Sequence, residues 1–169
     1  MRRARNGRGF TLLELLIACG IIGIIAAIAV NNFYNAVQRA RQKRTMSDIR
    51  SIAVAWESRA VDVREYNAAA NTVDMPTAQL TYAQANLLLV PTYMRTMAQA
   101  DGWNSPLEFY TDFAVGAGRG ASTYAVRSPG RDLVFSGSTY EDGPTTSFDC
   151  DIVYIGGQFV SWPEGTQQQ

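Results

Sequence analysis

The 169-residue sequence contains no histidine. That excludes Ser-His-Asp and Cys-His catalysis and every histidine-ligated metal centre. Cysteine is almost as scarce, with only Cys19 and Cys150. Cys19 falls in a long apolar run and Cys150 near the far end of the chain, so no bond between them is expected, since a disulfide needs Cα atoms within about 7 Å. A free Cys150 thiol cannot close a loop within the chain. Basic residues are lacking from Thr45 onward, where seven face fourteen acids, every acid of the chain but Glu14. An acidic body does not attract phosphate backbones, so no nucleic-acid partner is expected. No internal repeat is visible. No pair of acids has a context that suggests acid–base catalysis, and about 120 residues outside the expected helix leave little room for a substrate cleft. The chain is read as a non-enzyme.

What is present is concentrated at the N-terminus. Four arginines and no acid occupy residues 2–8. Phe10 to Val30 then reads FTLLELLIACGIIGIIAAIAV, 21 residues with Glu14 as the one charge. At 1.5 Å per residue a helix of this length spans about 31 Å, the thickness of a bilayer core. The basic leader favours a cytoplasmic N-terminus, an argument weakened by Arg39, Arg41, Lys43 and Arg44 beyond the span. The leader is too short and the apolar run too long for an ordinary secretory signal, whose small-residue cleavage site follows the apolar stretch. Here the small residue, Gly9, precedes it, so cleavage there removes the arginines and keeps the span.

No Pro or Gly interrupts Asn31 to Val63. Met46, Ile49, Ala53, Trp56, Ala60 and Val63 recur at spacings of three and four, one apolar stripe on a helix that continues out of the span. Residues 64–80 read as a loop. Tyr82 to Leu89 reads as a short helix with Thr81 as N-cap and Pro91 after it. Asp101-Gly102 and Asn104-Ser105-Pro106 are turn signals. Leu107–Thr111, Thr123–Arg127, Leu133–Phe135, Asp151–Ile155 and Gln158–Trp162 read as short antiparallel strands, with Ile155-Gly156-Gly157-Gln158 as a tight hairpin. Gly165–Gln169 reads as a disordered tail. The fold class is α+β: a long N-terminal helix whose second half packs on a small antiparallel sheet. The organisation is a leader at 1–9, a membrane-spanning helix at 10–30, its amphipathic continuation at 31–63, a globular domain at 64–164 and a tail at 165–169.

The residues Gly9-Phe10-Thr11-Leu12-Leu13-Glu14 resemble the prepilin cleavage and methylation motif of the type IV pilin and type II secretion pseudopilin family. The resemblance implies cleavage after Gly9 by a membrane prepilin peptidase and N-methylation of the new N-terminal Phe10. It also implies an assembly role for Glu14, the family's hallmark acid. In lipid such a carboxylate costs on the order of 2.5–3.5 kcal/mol near a helix centre and less near an end. The α-amino group that cleavage creates on Phe10, in this chain or a neighbour, is its nearest partner; the bland alternative is a carboxylate snorkelling to the membrane edge. Gly20 and Gly23 are either close-packing sites between helices or ordinary membrane-helix glycines. Asn31 stands where many family members have proline.

Leu89-Val90-Pro91 and Asp101-Gly102-Trp103-Asn104-Ser105-Pro106 resemble an element of the major pseudopilin of type II secretion. Ser128-Pro129-Gly130-Arg131-Asp132 and Asp149-Cys150-Asp151-Ile152 are similar to that group's late loop, which binds calcium. By this resemblance Asp132, Asp149 and Asp151 are calcium ligands; the alternative is solvated loop acids, with Asp132 capping a turn. The family implies self-association into a filament, an inner-membrane assembly platform with its ATPase, minor pseudopilins, and a chain anchored in the bacterial inner membrane with its body in the periplasm. A secretion pseudopilin is favoured over a type IV pilin for adhesion or motility. A signal-anchored periplasmic enzyme is the distant alternative, and a surface-binding minor pilin, with exposed Trp and Tyr residues, another.

Overall fold

The computed structural model describes residues 10–63, 72–115 and 120–168. The element order is α1 (Leu12–Val63), β1 (Thr72–Asp74), β2 (Ala78–Leu80), α2 (Tyr82–Leu89), β3 (Glu108–Thr111), β4 (Tyr124–Ser128), β5 (Thr139–Glu141), β6 (Gly143–Ser147), β7 (Ile152–Ile155) and β8 (Gln158–Gln168). The chain divides into two units, Met1–Val37 and Gln38–Gln169.

In the first unit the described residues are helical from Leu12, and every one from Phe10 to Tyr34 is exposed. Asn31 and Asn32 sit inside α1 without a break, because asparagine, unlike proline, keeps its backbone N–H for the helical ladder.

The second unit is built around a six-stranded sheet in the order β2-β3-β4-β7-β8-β6, with β1 and β5 forming a separate pair. The α1 residues from Gln38 onward bury Ile49, Ile52, Ala53 and Trp56 against Leu80, Phe109, Tyr124, Val126, Ile152 and Tyr154, with Ala85 and Leu89 of α2 in the same cluster. Trp56 stacks on Tyr124 with ring centroids 5.0 Å apart and planes inclined by 10°. The hydroxyls of Tyr124 and Tyr154 both lie 3.1 Å from Glu57 Oε1, tying sheet to helix by polar contacts as well. On the other sheet face Ala125, Val153, Ile155 and Val160 pack with Met75 and Tyr140. The four residues of β7 are therefore all buried, Ile152 and Tyr154 on the helix side and Val153 and Ile155 on the other, as the period of two requires. Helix α2 starts as expected, with Thr81 and Gln84 forming a capping box. Its C-cap is Val90, and the Val90–Pro91 peptide bond is cis.

Five expectations need correction. The sheet is mixed: β6 pairs with β8 in parallel, and the remaining ladders are antiparallel. The stretch assigned to a loop at 64–80 holds β1 and β2; its residues 64–71 lie outside the described ones. Leu133–Phe135 is not a strand. Leu133 has φ +62 and it and Val134 are exposed, so the apolar triplet is a turn held by Asp132. Gly143–Ser147, given no element from the sequence, is β6. The residues 165–168, read as a disordered tail, continue β8, where Gln167 is buried and its Nε2 donates to the carbonyls of Thr145 and Glu164. Glutamine carries no apolar signal, so polar pairing of this kind leaves no mark in a hydropathy pattern. The hairpin at Gly156-Gly157 between β7 and β8 stands as expected, both glycines with positive φ.

Candidate functional site

The entrance to α1 is a hydrogen-bonded cap. Thr11 N and Thr11 Oγ1 donate to Glu14 Oε2 at 3.0 and 2.9 Å, and Glu14 N donates to Thr11 Oγ1 at 3.2 Å. This is the reciprocal capping box of a Thr-x-x-Glu sequence, which satisfies two of the helix's unpaired N–H groups. It also places the carboxylate at the positive end of the helix dipole. Thr11 was missed in the sequence, although its spacing to Glu14 is the signal. Phe10 is 77% exposed. Gly9 lies outside the described residues. Beyond the cap, α1 is long and apolar enough to cross a membrane, with none of the apolar window buried within the chain. A side chain at Gly20 or Gly23 would meet nothing within 4 Å. Among the described residues this apolar window has no partner, and such a surface calls for lipid or other helices.

The aspartates expected to share one calcium ion have separate engagements. Asp149 accepts from Arg131 Nε and an Arg131 terminal nitrogen at 2.7 and 2.8 Å, a bidentate pair that holds its carboxyl below the usual carboxylate range. Asp132 Oδ1 accepts from Val134 N at 3.0 Å, the turn cap of the alternative reading. Asp151 points inward: its Oδ2 accepts from Tyr140 Oη at 2.6 Å and Ser136 N at 2.9 Å, while Oδ1 is buried with no partner among the described residues. Among the described residues no three His, Cys, Asp or Glu side chains gather as a metal set. Asp149 and Asp151 do not lie two apart along one strand face, because β7 begins at Ile152 and residues 149–151 turn into it.

Asp151 closes a network that sequence reasoning did not find. Arg127 makes an ion pair with Glu108 at 2.8 Å and donates to Gly137 O, Tyr110 Oη and Tyr140 Oη. Tyr140 in turn reaches Asp151. Burial and the neighbouring Asp151 carboxylate push the Tyr140 hydroxyl well above its ordinary range, and burial likewise raises Asp151. Four strands, β3, β4, β5 and β7, are stapled by this chain of contacts at or beside their ends. Its members are scattered over the sequence, so no local spacing announces it.

The Asp101-Gly102-Trp103 turn proves to be the place where the body grips α1. Gly102 N donates to Thr45 Oγ1 at 2.8 Å, and Trp103 Nε1 donates to Gln38 Oε1 at 2.6 Å. Asp101 is buried and organises the turn, accepting from Trp103 N, Ser105 N and Ser128 Oγ. A Cβ at residue 102 would collide with the backbone of Arg41, so glycine is needed there for close approach. Gln38, Gln42 and Thr45 are the buried polar residues of the helix that the apolar stripe did not reveal. Both cysteines are free thiols.

Comparison with known proteins agrees with the helix entrance. A family model described as the prokaryotic N-terminal methylation motif matches residues 4–30. The type IV major fimbrial protein FimA of Dichelobacter nodosus is 41% identical over 58 residues, 34% of this chain and 37% of that protein. The type IV major pilin protein PilA of Myxococcus xanthus (strain DK1622) is 38% identical over 68 residues, 40% of this chain and 31% of that protein. The type II secretion system core protein G of Escherichia coli (strain K12) is 33% identical over 66 residues, 39% of this chain and 46% of that protein. The matched stretch thus spans less than half the length of these relatives. No solved structure matches the chain. The chain thus joins an N-terminal methylation motif to an exposed apolar helix, and over part of its length it is similar both to type IV pilins and to the type II secretion core protein G.

Proposed function

We propose that this protein is a structural subunit of a pilus-like filament, made as a precursor that a prepilin peptidase cuts after Gly9 and that is N-methylated on Phe10. The observation that carries the reading is the exposed apolar run of α1, headed by a capped carboxylate. Before assembly lipid covers the run, anchoring the chain in the inner membrane with its body in the periplasm. In a filament the same surface packs against copies of itself. Glu14 Oε2 is held by Thr11, and the carboxylate has a further oxygen for the Phe10 amine of a neighbour. An assembly platform with its ATPase and minor pseudopilins belong to the same reading.

Within that class a pseudopilin of type II secretion, part of a periplasmic piston for export, is the finer proposal. It is supported by the Leu89-Val90-Pro91 and Asp101-to-Pro106 elements, which here form the end of α2 and the grip on α1, and by a C-terminal region held by strand pairing with Cys150 as a free thiol. A type IV pilin for adhesion or motility is the second reading, favoured by the fimbrial relatives at 36 to 42% identity. The mature N-terminus, read by intact mass and peptide sequencing from the native membrane fraction, tests the class. A start at Phe10 with one added methyl supports it, and a retained Met1 overturns it. Deleting the gene then separates the two members: loss of protein export supports the pseudopilin, and loss of surface fibres with export intact supports the pilin.

A further inference from the structure

The outward face of α1 in the second unit carries a line of cations that take part in no ion pair among the described residues. Arg39, Lys43 and Arg50 are exposed. They fall within about 60° of one another and of Val54 and Val61 around a helix of 3.6 residues per turn. Val54 and Val61 are 53% and 72% exposed. The face that Gln42, Ile49, Ile52 and Trp56 bury lies to one side of this line. Among the described residues the ion pairs are Arg44–Asp48, Arg127–Glu108 and Arg131–Asp149, so none uses this line.

A complementary surface lies on the same unit. Strand β6 is the last in the sheet order, paired only with β8. Exposed Glu141 and Asp142 stand at its entrance and exposed Glu164 on the adjoining β8. None of the three takes part in an ion pair among the described residues. The body to which they belong carries twice as many acids as bases from Thr45 onward.

We propose that these two patches meet between copies: the Arg39–Lys43–Arg50 line of one subunit docks on the Glu141–Asp142–Glu164 edge of the next. This rests on the filament reading above and adds the contact that joins the bodies. Two different patches on one chain that complement each other make a heterologous, head-to-tail contact, which propagates into a helical polymer instead of closing into a dimer. Opposite charge sets partner and register, and the exposed valines on the same helix face supply apolar area beside the charges. Because the groups are solvent-exposed, the contact weakens as salt approaches 1 M, where the screening length falls to about 3 Å.

The test is charge exchange in the full chain, produced with its assembly machinery, comparing sheared filaments with the membrane-inserted pool. R39E/K43E and E141K/D142K are each expected to lower filament yield about tenfold, and the four changes together to restore it to within about twofold of the original. The milder R39Q/K43Q is expected to lower yield less and to make filaments more salt-labile; limited proteolysis of the membrane pool shows that each body is folded. Unchanged yield in the single-patch variants, with the unaltered protein polymerising, overturns the contact and leaves the filament reading intact. If R39E/K43E lowers yield, the combined variant does not recover, and the helix variant loses binding to phosphatidylglycerol vesicles, the partner is a lipid surface and the proposal fails. No filaments from the unaltered protein would overturn the filament reading, and this contact with it.

Discussion

At the scale of single residues, Gly102 is tightly constrained by the helix it faces. The backbone of Arg41 leaves no room for a Cβ, and the adjacent Gly102 N–H bond to Thr45 depends on that closeness. Gly102→Ala is expected to destabilise the body by about 1–3 kcal/mol, the usual cost of overpacking a filled site. Thermal melting of the full chain in detergent should show this as a fall of several degrees. Asp151 behaves differently with pH. Its carboxyl is raised above the ordinary 3.8, chiefly by burial. The folded state therefore takes up its proton first as pH falls, and stability from this group is gained on acidification and lost as pH rises through the folded value. The stability of the unaltered protein relative to Asp151→Asn should thus grow as pH falls from about 7 to about 4. Asp149 has the opposite sign, lowered by Arg131, so its contribution is present above 3.8 and fades below it. That pair is partly exposed, with Asp149 39% accessible, and contributes less than about 1 kcal/mol. With Arg131 already neutralising Asp149, chelating calcium is expected to leave the melting temperature unchanged. A fall of several degrees would show that Asp149 exchanges the guanidinium for a cation.

At the scale of elements, the two helices were legible and parts of the sheet were not. The uninterrupted run from Phe10 to Val63 and the Thr81 cap have local signatures: periodicity in one case, a side chain meeting its own backbone in the other. The strands expected at Thr123–Arg127 and Asp151–Ile155 were visible as β-branched and aromatic runs, and each lies within one residue of β4 and β7. Strands β1, β2 and β6 are short or built from Thr, Gly and Pro, and acquire their conformation from partners distant in sequence, which composition does not encode. The loop Leu133–Phe135 failed in the other direction. It has strand composition but turns under Asp132. The far end of β8 offers a direct check. Gln167 Oε1 accepts from Gln42 Nε2 at 3.1 Å, and Gln167 Nε2 from the same side chain holds Thr145 O on β6. Removing residues 165–169 should lower the melting temperature and increase proteolysis near Gly143–Ser147; a tail without structure would leave both unchanged. Thr81→Ala, which removes the capping side chain of α2, should cost about 1 kcal/mol in the same melting experiment.

At the scale of the whole molecule, the methylation motif was readable because its pattern is local. Gly9, Phe10 and Glu14 lie within six residues, and an acid at the head of an apolar span stands out against everything around it. What the sequence did not disclose was Thr11 as the group that holds Glu14, or the Arg127–Tyr140–Asp151 network that steadies the body. Glu14→Ala is expected to be cleaved and inserted normally, since the apolar span survives, but to yield at least about tenfold fewer filaments, because a charge pair desolvated between helices loses one partner. Immunoblots of the membrane and sheared fractions give both numbers. Thr11→Ala should fall between the two, and Thr11→Ser, which keeps the hydroxyl, should resemble the unaltered chain.

Strand order also sets a timetable. Strand β6 emerges from the ribosome before β7 and β8, yet it touches the large sheet only through β8. Until β8 follows, β6 has no ladder to join in the large sheet, and the acidic edge beside it does not yet exist as a surface. The body is therefore completed from its far end. If the proposed contact joins the bodies, a subunit caught before β8 has arrived would present its apolar helix without the surface that pairs it with a neighbour, and polymerisation would wait until each copy has finished folding.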